Sequence, residues 1–252
     1  MSKKKILFIT EGENDEPKFI DRIFKKCYPN TECQYYKYCT NIHTLADSIF
    51  DRKNEIDEYL DIRRVLKARE KNDHRKEKLS DKYTDIILVF DFEPHVDVPQ
   101  FEKIEKMLKF FNDSTINGKL YINYPMMQSC RHIKCYPEED IEFKDRIVYK
   151  MDCSKYKDIV NNESVFKNIH KYDYPRIMKI IGYHLKKANY ILNNQYIVPD
   201  IKQFNKIDLN RLYKIQCKNN DEKEFVYVLN TFVFNIIEYN PKVVIEKIKE
   251  FE

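Results

Sequence analysis

Residues 5–24 read Lys5-Ile6-Leu7-Phe8-Ile9-Thr10-Glu11-Gly12-Glu13-Asn14-Asp15-Glu16-Pro17-Lys18-Phe19-Ile20-Asp21-Arg22-Ile23-Phe24. A short unbroken apolar run, an abrupt acidic turn at Glu11-Gly12 and an amphipathic continuation predict a buried strand, a tight turn and a helix. A second apolar run of the same kind lies far along the chain at Thr84-Asp85-Ile86-Ile87-Leu88-Val89-Phe90, and it ends in Asp91-Phe92-Glu93, with His95 and Asp97 just beyond. Unbroken apolar runs fit strands covered on both faces, the habit of parallel sheets.

Parallel strands bring their carboxyl ends to one edge of an open α/β sheet, and ligands collect in the crevice outside that edge. Glu11, Asp91 and Glu93 are therefore expected to converge there. Strand alternation would set Asp91 and Glu93 on one side with Phe92 facing away, giving two oxygen ligands to one hard cation. Clustered carboxylates repel one another, and a bound Mg²⁺, or Mn²⁺ in its place, keeps them ionised together.

A strand ending in Glu-Gly before a helix, and a later apolar strand ending in Asp-x-Asp, are the marks of the Toprim domain of topoisomerases, primases and small nucleases, which residues 4–135 resemble. The second motif here is Asp91-Phe92-Glu93, with a longer acid in last place. The wording Thr10-Glu11-Gly12-Glu13-Asn14-Asp15-Glu16-Pro17 is similar to compact bacterial Toprim proteins of phage defence, the RloB-like, OLD-like and PARIS effector groups. The resemblance implies a Toprim-like, Rossmann-type parallel sheet flanked by helices and a Mg²⁺-dependent nuclease acting on DNA or RNA as a toxic effector of abortive infection. It also implies that the paired acids hold the metal, that Glu11 either joins them or moves the proton of the attacking water, and that Asp15 is a further ligand. A homodimer and a separate ATPase sensor as controlling partner are implied in the same way. Two other readings use the same fold: a processing or primase-like enzyme, and a non-catalytic interaction protein.

Around this core the chain divides into an expected catalytic domain over 1–148, with a helical insertion at about 41–82, and a helical region over 149–252 for assembly or partner docking. The insertion carries Leu45, Ile49, Ile56, Leu60 and Val65 at spacings near one helical face, then a charge-dense run over 63–78. Mixed charges make that run a solvated surface, with a phosphate-contacting arm as the sharper alternative. A helix beginning near Phe101 and a strand over 119–124 complete a strand-helix-strand unit, for which a right-handed parallel crossover is expected. Beyond it, Asn123, Gln128 and Ser129 place polar groups at a strand end, where they bind substrate or cap the next turn. Asp97 is a candidate ligand for a second ion or a turn residue, and His95 a candidate phosphate donor or proton shuttle.

The C-terminal region predicts helices over 174–193, 205–217 and 222–239, and a last one opened by Asn240-Pro241. With 45 Lys and Arg against 41 Asp and Glu, the net charge of +4 is compatible with a nucleic-acid partner without arguing for one. Seven scattered cysteines fit a reducing compartment better than a disulfide scaffold, and Cys130, His132 and Cys135 lack the paired spacing of a zinc site. The start shows no secretory pattern and no apolar stretch approaches eighteen residues, so a cytoplasmic protein with no membrane association is expected.

Overall fold

The computed structural model describes residues 4–12, 15–96 and 99–251. Its contacts divide the chain into two compact units, residues 1–90 with 98–121 and residues 91–97 with 122–252. Two of the dividing points fall inside strands, after Phe90 and after Tyr121.

The first unit is built on β1 (Lys5–Thr10), α1 (Asp15–Cys27), β2 (Glu32–Lys37), α2 (Ile42–Ile49), α3 (Ile62–Arg69), α4 (Asp73–Ser80), β3 (Asp85–Asp91), α5 (Phe101–Phe110), β4 (Asn112–Asp113) and most of β5 (Gly118–Tyr124). Its strands run in the order β2-β1-β3-β5-β4. β1 lies between β2 and β3 and is parallel to both, with Ile9 opposite Tyr36 on one side and Leu88 on the other. Ile6, Leu7, Phe8 and Ile9 have no exposed surface, nor do Ile87, Leu88, Val89 and Phe90. Burying side chains of this kind stabilises by about 1.5–3 kcal/mol each, and this fixes the two strands that carry the acids. The expected α/β sheet with flanking helices is present.

α1 presents Phe19, Ile20, Ile23 and Phe24 to the interior, and Phe24 meets Phe8 edge-on at 5.2 Å. Its first turn is acidic and its last is basic, matching the helix dipole at both ends. The region 41–82 is not one apolar face but three eight-residue helices. Asn41, Asp61 and Asn72 each cap one by accepting a backbone N–H. Part of the charged run is put to structural use: the Tyr36 hydroxyl donates to Glu70, and Arg75 pairs with Glu70 at 2.9 Å while stacking on the Tyr36 ring. These contacts cover β2 at the sheet edge, where an open ladder would otherwise be exposed. Gly118, at φ 104°, opens β5 where a Cβ would come within 3.0 Å of Leu88 Cδ1.

The second unit contains the ends of β3 and β5 and then β6 (Ile147–Tyr149), α6 (Tyr156–Glu163), α7 (Tyr174–Asn193), α8 (Ile201–Phe204), α9 (Leu209–Lys223), β7 (Phe225–Tyr227), β8 (Leu229–Asn230), α10 (Val233–Tyr239) and α11 (Pro241–Glu250). α7 spans the expected residues; Asp173 caps it and left-handed Asn194 ends it. α11 begins at Asn240-Pro241 as the cap signal requires. The single helix expected over 222–239 is absent. Glu224 turns left-handed at φ 55°, ending α9, and the chain extends so that β7 pairs antiparallel with β6 and β8 with the end of β5. An Asp140–Arg146 pair at 2.7 Å and a fully buried Lys187, donating to the carbonyls of Phe143 and Arg146, sit inside this unit. Burial pushes the Lys187 ammonium well below its usual range. Among the described residues, no helix is long and apolar enough to cross a membrane.

Candidate metal centre

Glu11 stands one residue past β1 and remains tied to the sheet on both sides. Its N–H donates to the Val89 carbonyl at 3.2 Å, and its own carbonyl accepts the Cys39 N–H at 3.0 Å. Gly12, the next residue, packs closely against Glu16. The Gly12 N–H donates to the Glu16 carboxylate at 2.8 Å, and a Cβ at position 12 would lie 3.0 Å from Glu16 Oε1. Buried Glu16 thus ties Gly12 to the first turn of α1, and the Thr10 hydroxyl donates to the Gly12 carbonyl at 3.2 Å.

Asp91 is the last residue of β3, two positions beyond the Val89 carbonyl that anchors Glu11. It is 9 % exposed, and its Oδ1 accepts the Met127 N–H at 2.8 Å. A charged acceptor makes this the stronger kind of hydrogen bond, and it orients the carboxylate. Phe92 donates its N–H to the carbonyls of Asn123 and Pro125 and buries its ring against Tyr124 and Tyr213.

Glu93 is brought back by a different device from the one strand alternation suggests. β3 has already ended, and Glu93 adopts φ 51°, the left-handed conformation that a non-glycine residue rarely holds. Such residues cost about 1–2 kcal/mol and gather where a site demands them. Half-buried, Glu93 reaches His95, whose Nε2 lies 3.3 Å from Glu93 Oε2.

One side-chain oxygen each of Glu11, Asp91 and Glu93 lies within 4.8 Å of the others. Comparison with protein-family models, curated proteins and solved structures found no match. The donor set is entirely carboxylate oxygen, which suits a hard divalent cation such as Mg²⁺ or Mn²⁺ with waters completing its shell, and lacks the thiolate and imidazole ligands usual for zinc. At 4.8 Å, two full carboxylate charges repel by about 3 kcal/mol at an effective dielectric near 20. A divalent cation turns that repulsion into attraction.

The remaining expected site residues are distributed differently. Asp15 is the exposed first residue of α1 and is outside the three-acid group. Asp97 lies outside the described residues. His95 is placed beside Glu93. Asn123 is fully buried; its Oδ1 faces the Phe232 N–H at 3.5 Å and its carbonyl takes the Phe92 N–H, so it braces the acid-bearing segment. Gln128 is half-buried and Ser129 fully buried in the single turn Met127–Arg131, whose first N–H serves Asp91. In that short segment a backbone amide, not a polar side chain, touches the cluster. No side-chain pattern announces an amide. Pro94 favours extended backbone at the residue before it, so the left-handed turn at Glu93 has no sign in the sequence either.

Two histidines of the second unit, His132 and His184, serve its interior. His132 lies between the Tyr156 hydroxyl at 3.0 Å and Glu163 at 2.9 Å, and burial outweighs the pull of Glu163, lowering its pKa to about 4. His184 accepts the Asn230 N–H at 3.1 Å, and burial lowers it to about 3. Cys130 is buried beside a histidine already engaged, and Cys135 is exposed, so the trio forms no metal group among the described residues.

Proposed function

We propose that this chain is a Mg²⁺-dependent phosphodiester hydrolase, a nuclease acting on DNA or RNA, with its reaction centre at Glu11, Asp91 and Glu93. The observation that carries the reading is the gathering of three carboxylate oxygens within 4.8 Å, from two chain segments about eighty residues apart. When bound, the ion polarises a phosphoryl oxygen and stabilises the leaving oxygen. Asp91 and Glu93 hold it, Asp91 in an orientation fixed by the Met127 amide and Glu93 in one fixed by its left-handed backbone. Glu11 either completes the ligand set or accepts the proton of the attacking water, and its double backbone anchor keeps it in register for both. His95 steadies Glu93 and offers a donor to an incoming phosphate. The Toprim-like wording of residues 10–17 supports a toxic role in phage defence, exercised by a homodimer under the restraint of a partner ATPase.

The test joins metal binding to chemistry. Wild-type protein should bind Mn²⁺ in a calorimetric titration and shorten plasmid DNA or tRNA when Mg²⁺ is present. Asp91→Asn, which keeps an acceptor for the Met127 N–H, should bind Mn²⁺ at least about 10-fold more weakly, since even outer-shell changes cost that much. Cleavage at wild-type rate by Asp91→Asn, or a wild-type protein that takes up no Mn²⁺, would overturn the assignment.

A further inference from the structure

Beside Glu93 the second unit holds an open-sided cavity of about 410 Å³, lined by His95, Tyr149, Lys150, Met151, Ser154 and Glu224. Its rim is set by backbone. Tyr149 ends β6 opposite Phe225, and the Lys150 N–H donates to the Glu224 carbonyl at 2.8 Å, where the left-handed Glu224 terminates α9. Two large apolar side chains stand in water here, Tyr149 at 52 % and Met151 at 83 % exposure. A lone exposed apolar residue needs no explanation, but two on the wall of one cavity form a surface that a flat apolar ligand can cover.

The lining describes the ligand. An aromatic ring and a polarizable thioether match the faces of a planar heterocycle. Ser154, Glu224 and Lys150 supply acceptors and donors at its edge. The volume lies in the range of small-ligand sites and admits a nucleobase with its sugar. His95 is part of the cavity's lining and its ring contacts Glu93 at 3.3 Å, so the cavity adjoins one acid of the cluster.

We infer that this cavity receives an unstacked nucleobase adjoining the phosphate that is cut, and that the substrate is therefore a single-stranded segment of DNA or RNA. In a continuous duplex both faces of each base are covered by its neighbours, and extruding one costs a few kcal/mol. The position of the scissile phosphate rests on the nuclease reading above; the base-binding cavity does not.

The two are tested separately. Single-stranded DNA and RNA 12-mers carrying 2-aminopurine, and the matching duplexes, are titrated in EDTA against wild-type, Tyr149→Ala and Met151→Ser protein. Single strands should bind more than 10-fold tighter than duplex, with the probe fluorescence quenched on stacking, and the better of the DNA and RNA arms names the substrate. Loss of one base-stacking contact should weaken binding about 5- to 150-fold in Tyr149→Ala. Both positions are solvent-exposed, so thermal unfolding and Mn²⁺ binding should stay at wild-type values. Equal affinity for duplex, no binding of any oligonucleotide, or single-strand affinity within twofold of wild type in both variants overturns the inference. Failure of wild-type protein to bind Mn²⁺ removes the metal centre instead and leaves the EDTA result to judge the cavity alone.

Discussion

Glu93→Ala and Glu93→Gly delete the same carboxylate, yet they should leave proteins of different stability. Glu93 holds φ 51°, and an alanine in its place inherits the clash between Cβ and the following carbonyl, at about 1–2 kcal/mol. Glycine escapes that clash but gives up about 0.5–1 kcal/mol more chain entropy on folding. The difference leaves Glu93→Gly more stable than Glu93→Ala by about 0.5–1 kcal/mol, or about 1–4 °C in melting temperature for a chain of this length. Because both variants lose the charge, relief of repulsion from Glu11 and Asp91 cancels in the comparison. Glu93→Gln completes the set by retaining length and backbone while losing the charge. Thermal unfolding in EDTA reads the backbone contribution, and Mn²⁺ titration reads the ligand. All three variants should lose most Mn²⁺ affinity, while only glycine gains stability over alanine. An alanine variant as stable as the glycine variant would refute the claim that a strained turn aims Glu93. A glutamine variant with wild-type Mn²⁺ affinity would refute its role as a ligand.

Stability should also fall in mild acid. His132 and His184 have folded pKa values lowered to about 4 and about 3 from 6.5, so above pH 6.5 both are neutral in either state and their contribution is fully present. As pH drops, the unfolded chain takes up protons that the folded one refuses. Stability then declines by about 1.4 kcal/mol per pH unit per histidine between about pH 6 and 4. Denaturant midpoints at pH 7, 6 and 5 measure this slope, and His132→Gln should remove about half of it between pH 6 and 5. Gly118→Ala should cost at least about 1 kcal/mol, because φ 104° is closed to alanine and its Cβ would press on Leu88; thermal unfolding should show the loss with Mn²⁺ affinity unchanged.

The parts legible in the sequence are those whose cause is local or strongly periodic. β1 and β3 announce themselves because strands buried on both faces need no polar alternation, and the acids that end those runs are conspicuous against Ile, Leu and Phe. α7 is legible from its helical pattern over 174–193, and α11 from its cap, Asn240 before Pro241, whose geometry is set within a few residues. The region 222–239 fails for the opposite reason. Its apolar residues admit both a helical and an extended reading, and the choice is made at Glu224 and by a partner strand at 147–149, far along the chain. The insertion misleads similarly: Leu45 and Ile49 do face inward, but caps at Asp61 and Asn72 cut the rest into short helices.

The candidate site combines both kinds of information, and the division has a physical basis. That Glu11 and Asp91 should meet follows from topology alone, since two adjacent parallel strands finish at the same edge whatever the surrounding loops do. That Glu93 joins them does not follow, because β3 stops before it and the return depends on a backbone conformation that sequence patterns disfavour for glutamate. The Tyr149 wall is further still from legibility. Its place beside His95 requires the β6–β7 pair, the left-handed end of α9 and the bond between Lys150 and Glu224, none of which has a local signature. Under the proposed function, the candidate metal ligands can thus be read largely from strand ends, whereas the proposed base-binding residues are positioned by long-range pairing. A change in the second set should alter substrate choice while leaving the ion in place.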